Sequence, residues 1–245
     1  MSDAALARHI AETAGELLLT LQASGLIQGK ALGRAGDRVA NAFIVEALRQ
    51  ARPDDALLSE EEAADPARLG HSRVWIVDPL DGTREYSEGR SDWAVHVALA
   101  IDGVAAIGAV ALPALSLTLG SDDPPPIACA GEAPLRMLVS RSRPAAHAVA
   151  VAEALAAELV PMGSAGAKAM AVVRGEADIY LHSGGQYEWD SCAPVAVARA
   201  AGLHVSRIDG SPLVYNREDP YLPDLLICRK EHARRVLDLV ARIDA

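Results

Sequence analysis

The stretch WIVDPLDGTREY, Trp75 to Tyr86, decides how the chain folds and what stands at its centre. Val74 to Val77 is an apolar run of the kind that forms a buried strand, and two acids, Asp78 and Asp81, stand where it ends. Pro79 lies between them with its φ fixed, so a turn here converges both carboxylates on one point. Gly82 and Thr83 suit a tight turn into a helix, whose first N–H groups lack partners and attract an anion.

Carboxylates beside an anion-binding helix start repel that anion unless a cation lies between them. A divalent metal removes the conflict. No Cys or His lies in the stretch, which favours the hard ions Mg2+ or Mn2+ over zinc. The alternative is a strand followed by an Asx-type turn that only caps a helix. Asp-Pro and Asp-Gly are common turn pairs, and this segment alone does not separate the two readings.

The 245 residues suffice for a large core, in one domain or in two closely joined lobes. Hydrophobic residues make up 51% but aromatics only 4%, so the core must be built mostly of Ala, Val, Leu and Ile. That composition fits a layered α/β or α+β enzyme and not a disordered or fibrous chain. The formal net charge of −10 argues against a nucleic-acid polymer as partner, while a metal can invert the local field for a small phosphorylated molecule. Cys129, Cys192 and Cys228 are odd in number and far apart, with neither a zinc spacing nor a disulfide pattern, which predicts a reducing compartment. No apolar stretch is long enough to span a bilayer and no secretory signal pattern is present, so the expectation is a cytoplasmic protein without a membrane partner.

Leu6, Ile10, Ala14, Leu17, Leu18 and Leu21 repeat at helical spacing and predict a helix over Ala4 to Leu21. Gly25 to Gly36, including ALGRAGD, reads as a loop, with Asp37 as the N-cap of a second helix through Val39, Ala40, Phe43, Ile44, Ala47 and Leu48. Asp37 gains a metal-facing role only where that helix start approaches Asp78. Ala56 to Leu58 predicts a short strand running into Glu60, Glu61 and Glu62. Those acids read as a solvated surface, except that Glu60 is also placed to add a third carboxylate beside Asp78. From Asp92, WAVHVALAI, VAAIGAVALP and LSLTLG predict a meander, with Asp102-Gly103 as a hairpin turn and His96 as a hydrogen-bonded structural histidine.

Asp122 to Pro126 interrupts the pattern and divides the chain into an N-terminal α+β lobe, residues 1–121, and a C-terminal α/β lobe, residues 122–245. Leu135 to Val139 predicts a strand, and Pro144 opens a helix reaching about Leu159. Arg141 and Arg143 between them are either surface residues or an Arg fork for an anion. The Gly163 to Gly166 turn precedes a helix over Ala167 to Arg174 and offers free N–H groups to phosphate, with Lys168 in the same pocket or simply exposed. Ala177 to Tyr180 predicts a short strand. In HSGGQYEWDSCAP, Asp190 precedes the helical run Ser191 to Ala200; it either caps that helix or closes an acidic cage from the second lobe. A strand at Leu225 to Cys228 and a helix over His232 to Ile243 complete the chain.

LSEE at Leu58 to Glu61, WIVDPLDGTREY, and EWDSCAP at Glu188 to Pro194, in this order and at these separations, resemble the inositol-monophosphatase-like, metal-dependent phosphatases. The resemblance spans essentially the whole chain. It implies an α+β fold, the layered αβαβα sandwich of the inositol monophosphatase and fructose-1,6-bisphosphatase type, with the active site between the lobes. It implies Glu60, Asp78, Asp81, Asp190 and the Leu80 carbonyl as ligands of two or three Mg2+ ions, with Mn2+ able to substitute. Thr83, paired with Glu60, would position and help deprotonate a water, and Asp37 would support an additional metal. The Gly82 and Thr83 amides would bind phosphate oxygens.

Two segments depart from the family pattern. GRAGDRVAN stands where relatives carry an SPVTxAD-like form, and Gly163, Ser164, Ala165, Gly166 and Lys168 stand where relatives carry GSSLK-like residues. VSRSRP, GSAGAK and QYEWD are similar to the CysQ-type 3'(2'),5'-bisphosphate nucleotidases of the actinobacterial branch, which implies removal of the 3'-phosphate of adenosine 3',5'-bisphosphate, and of its sulfated derivative, in sulfate assimilation. On that reading Arg141, Ser164, Gly166 and Lys168 hold the nucleotide or its second phosphate, and Tyr187 either lines a base pocket or is structural. An inositol monophosphatase or a sugar bisphosphatase with the same metals is the alternative enzyme; a catalytically silent nucleotide-binding protein is the alternative outside enzymes. Lithium sensitivity and a C2 homodimer are expected by family analogy.

Overall fold

Strand alternation that buries both faces of a sheet dictates the layers here. In order, the chain forms α1 (Asp3–Ala23), α2 (Gly29–Ala51), β1 (Ala56–Ser59), β2 (Arg73–Asp81), α3 (Thr83–Ser87), β3 (Ala94–Ile101), β4 (Val104–Leu112), β5 (Leu117–Gly120), β6 (Arg136–Ser140), α4 (Ala146–Leu155), β7 (Glu158–Met162), α5 (Ala165–Val173), β8 (Ile179–Tyr187), α6 (Glu188–Ala200), β9 (His204–Ser206), β10 (Tyr221–Cys228) and α7 (Lys230–Ile243). The computed structural model describes residues 1–127 and 134–244, so Cys129 lies outside the described residues.

The first sheet has the order β1-β2-β3-β4-β5, with β1 and β2 parallel and the other pairs antiparallel. Val74, Ile76, Ala94 and Ala98 point to one face, and Trp75, Val77, Val95 and Val97 to the other. The first set packs on α5 and α6, the second on α1 and α2. The second sheet, β7-β6-β8-β10-β9, repeats the division. Leu138, Tyr180, Leu225 and Ile227 meet the α5 and α6 layer, while Met137, Val139, Leu181 and Leu226 meet α4 and α7. The product is a five-layer α+β sandwich, αβαβα. The sequence break at Asp122 to Pro126 falls between the sheets, yet the middle helices give both sheets one continuous core. No helix among the described residues is long and apolar enough to cross a membrane.

The meander and its Asp102-Gly103 turn form as expected, both turn residues taking positive φ. Other expectations are corrected. ALGRAGD is not a loop but the first half of α2, and Asp37 lies inside that helix instead of capping it. The helix after Pro144 ends at Leu155, because β7 follows; Pro161 is tolerated there on an edge strand. Asp190 is the third residue of α6, not its cap, and β8 extends to Tyr187.

Gly33 and Gly36 lower the intrinsic propensity of α2, and close packing explains their presence. A Cβ on Gly36 would lie 3.0 Å from the side chains of Leu18, Leu80 and Tyr86, and one on Gly33 would lie 2.7 Å from Thr83 Cγ2. Helix α2 therefore rests directly on the turn that ends β2. Tyr86 completes the seat: its Oη donates to the Leu18 carbonyl at 2.7 Å, and its ring meets Trp93 edge to face at 5.0 Å. Replacing Gly36 with leucine is expected to cost about 1–3 kcal/mol through overpacking. Thermal melts should show this as a lower Tm, whereas Gly70→Ala, which meets only open space, should leave Tm unchanged.

Candidate active site

Along a regular strand, residues three apart point to opposite faces, so Asp78 and Asp81 meet only because the register breaks between them. Asp78 pairs with His96 and Asp81 with Ala94, three steps on β2 against two on β3. The extra residue restores a common side for the two carboxylates. Leu80 N–H donates to Asp78 Oδ1 at 3.0 Å, fixing the inner turn, and Gly82 leaves it with φ of 88°, a conformation suited to glycine.

Asp190 arrives from the start of α6, where its Oδ2 accepts the Tyr187 N–H at 2.6 Å. Carboxylate oxygens of Asp78, Asp81 and Asp190 all lie within 4.8 Å of one another. Glu60 follows β1, its N–H donating to the Val77 carbonyl at 3.3 Å, and its carboxyl shares a hydrogen bond with Asp78. Three of the four acids named from the sequence thus share one cluster, and Glu60 joins it through Asp78.

Their protonation is not uniform. Burial opposes ionisation of Asp81, but the His96 charge beside it, Ser164 and the Gly166 amide outweigh it and hold Asp81 down at about 2. Ser164 Oγ donates to Asp81 Oδ2 at 2.5 Å, Gly166 N–H to the same oxygen at 2.7 Å, and Ala165 N–H to Oδ1 at 3.2 Å; His96 Nε2 stands 3.2 Å away. Burial and the charges of Glu60, Asp81 and Asp190 push Asp78 well up. Burial and the Asp81 charge raise Asp190 to about 6. Glu60 rises to about 7 through the protein packed on its carboxyl and the charges of Asp190, Asp81 and Glu61, against the pull of its bond to Asp78. Because Glu60 keeps solvent on one side, its shift is the most screened of the set. One fixed anion beside three acids that resist ionising is a site short of positive charge, and its all-oxygen donor set fits a hard divalent ion.

Several assigned roles change with the geometry. The Thr83 hydroxyl pairs not with Glu60 but with Asp37, lying 3.2 Å from Asp37 Oδ1 and 3.1 Å from the Leu80 carbonyl. Helix α2 brings Asp37 to the start of α3, whereas Glu60 is engaged by Asp78. Burial and the Glu61 charge raise Asp37 to about 6, with the Thr83 hydrogen bond pulling the other way.

A cleft of about 400 Å³ opens beside Asp81 and Asp190 and is lined by Arg141, Lys168 and Tyr187 among others. Arg141 is no free anion fork, since it reaches Glu85 and Glu88 of the first half at 2.8 Å each. Lys168 is buried, bonded to the carbonyls of Gly163 and Ser164, and burial lowers it to about 8. Ser164 and Gly166 face a carboxylate where phosphate was expected. Tyr187 does stand at the cleft, 46% exposed and stacked on Trp189 with ring centroids 4.8 Å apart. His96 is structural as expected, its Nδ1 held 3.0 Å from the Trp189 carbonyl, but its contact with Asp81 escaped the sequence reading.

The raised acids set a pH dependence. Asp37, Asp190 and Glu60 favour the fold when protonated, so their contribution is complete below their unfolded values of about 4 and is lost as pH rises through about 6 to 7. Asp81 acts oppositely and below that window: its contribution is present above 3.8 and is lost as pH falls through about 2. In chelator, Tm should therefore fall between about pH 4 and pH 7, Glu60→Gln should flatten the slope, and Mg2+ should restore Tm at neutral pH. A metal-free Tm that climbs across the window would contradict this electrostatic account.

Comparison with known proteins places this geometry. The model of the inositol monophosphatase family matches residues 5–244. The 3'-phosphoadenosine 5'-phosphate phosphatase of Mycobacterium leprae is 51% identical, over 99% of this chain and 95% of its own length. The 3'(2'),5'-bisphosphate nucleotidase CysQ of Escherichia coli K12 is 30% identical, over 77% of this chain and 81% of its own. Among solved structures, CysQ from Bacteroides thetaiotaomicron superposes with a TM-score of 0.79 at 26% identity, covering 93% of this chain and 97% of that one. With the fold, the acid cluster and these relatives in agreement, the chain belongs to the inositol monophosphatase family.

Proposed function

We propose that this chain is a Mg2+-dependent phosphomonoester hydrolase that removes the 3'-phosphate of adenosine 3',5'-bisphosphate and of its 5'-phosphosulfate form. The observation that carries this reading is the convergence of Asp78, Asp81 and Asp190 at the cleft, in a chain 51% identical to a 3'-phosphoadenosine 5'-phosphate phosphatase.

Glu60, Asp78, Asp81, Asp190 and the Leu80 carbonyl would hold the metal, with Mn2+ able to replace Mg2+. When bound, such ions polarise a phosphoryl oxygen and lower the pKa of water. The chain's own groups account for the rest. The Thr83 hydroxyl directs its hydrogen at Asp37 and Leu80, which leaves its lone pairs to accept a hydrogen bond from the attacking water. Asp37, raised to about 6, can take up a proton near neutral pH. The amides of Gly82 and Thr83 are the donors we assign to phosphate oxygens. Asp81, pinned by Ser164, Gly166 and His96, stays charged and immobile throughout. A C2 homodimer in the cytoplasm completes the proposal; Cys192 and Cys228, both buried and unpaired, fit a reducing compartment.

Phosphate release from adenosine 3',5'-bisphosphate, inositol 1-phosphate and fructose 1,6-bisphosphate, with and without Mg2+, tests this reading. The adenosine compound should be preferred, and chelation should abolish turnover of all three. Preference for either alternative would reassign the substrate, and metal-independent turnover would refute the mechanism. Thr83→Ala and Asp37→Asn should each lower kcat about 10²- to 10⁴-fold with little change in KM.

A further inference from the structure

Gln186 is 7% exposed, and among the described residues neither its side-chain oxygen nor its nitrogen has a hydrogen-bond partner. More than about 90% of buried polar groups are satisfied in folded proteins, and each orphan costs about 1–3 kcal/mol. A leucine or methionine would fill the same space without that cost. The position is also not remote from chemistry: Gln186 lines the cleft that Asp81 and Asp190 border.

Its neighbour supplies the second observation. Tyr187 lines the same cleft, and one face of its ring is stacked on Trp189 at an interplanar angle of 10°. The two residues together offer a flat aromatic surface and a carboxamide, a donor and an acceptor side by side. An inositol or hexose ring can lay C–H groups on the first but presents only hydroxyls to the second. A nucleobase matches both, and adenine presents a 6-amino donor beside a ring-nitrogen acceptor, the pattern a glutamine amide pairs in bidentate fashion.

We propose that Gln186 determines base specificity: its carboxamide pairs with the 6-amino group and adjacent ring nitrogen of adenine while Tyr187 stacks on the base. This inference rests on the nucleotide reading above and adds the residue that selects the base. Both amide atoms are shielded from solvent in the free chain, so this pairing requires the amide to turn toward the cleft. The unsatisfied amide of the free protein is then the origin of selectivity, because bound adenine supplies what the fold withholds.

The test compares kcat/KM for adenosine 3',5'-bisphosphate and for purine riboside 3',5'-bisphosphate, which lacks the 6-amino group. The wild-type protein should prefer adenosine about 10- to 100-fold. In Gln186→Leu and in the volume-matched Gln186→Met that ratio should fall to near one, chiefly through KM. The ligand-free melting temperature supplies a readout that a merely structural glutamine would move the other way: both variants should melt at or above the wild-type Tm. A ratio unchanged in both variants, a wild-type ratio near one, or a lower Tm in both would overturn the assignment while leaving the phosphatase reading intact. A wild-type protein that releases phosphate from neither nucleotide would remove the nucleotide reading and this inference together.

Discussion

Holding like charges together is the constraint on which this structure depends. Asp78, Asp81, Asp190 and Glu60 come from three separate parts of the chain, and their mutual repulsion opposes the fold that gathers them. The chain lessens the conflict most at one position. The first amides of α5, the Ser164 hydroxyl and His96 converge on Asp81 and make it a permanent anion. The other carboxyls are left without comparable donors, so their neutrality in the free protein and their ionisation around a cation are two states of one cluster. Stability withheld from the free fold is what makes the cluster responsive to an ion.

The layers follow from this need. Three segments must reach one point: the ends of β1 and β2 in the first sheet and the beginning of α6 between the sheets. A sandwich whose middle layer packs on both sheets provides that meeting place. The small side chains of α5 and α6, among them Ala167, Ala169, Ala171, Ala193, Ala196 and Ala198, let the layers approach closely with few aromatics in the core.

Much of this was legible from residues alone, because alternation along strands and turn chemistry at their ends are local properties. The run into Asp78 and the meander around Asp102-Gly103 came from such patterns, whereas local chemistry left Glu60 and Asp190 with alternatives, and the family resemblance joined them to Asp78 and Asp81. What the residues hid was tertiary. Gly33 and Gly36 suggested a loop because glycine disfavours helix, but packing against Thr83, Leu80 and Tyr86 rewards their lack of side chains. The family resemblance paired Thr83 with Glu60, and only the extended α2 shows that Asp37 is the nearer partner. Arg141, Ser164 and Lys168 looked free to meet a ligand, since a sequence does not display the internal partners that engage them. His96 carried no local signal of its bond to Asp81; that contact depends on the register shift opposite it.

The reach of Arg141 to Glu85 and Glu88 joins the wall built by β6 to the wall built by α3. It is one tie among several, beside the bonds of Ser164 and Gly166 to Asp81 and of Gly163 to Asp92. Its ion pairs keep some contact with solvent and add little to global stability, so ions in solution screen them well before they act on the fold. Salt therefore weakens this tie between the two halves before it weakens the core they share.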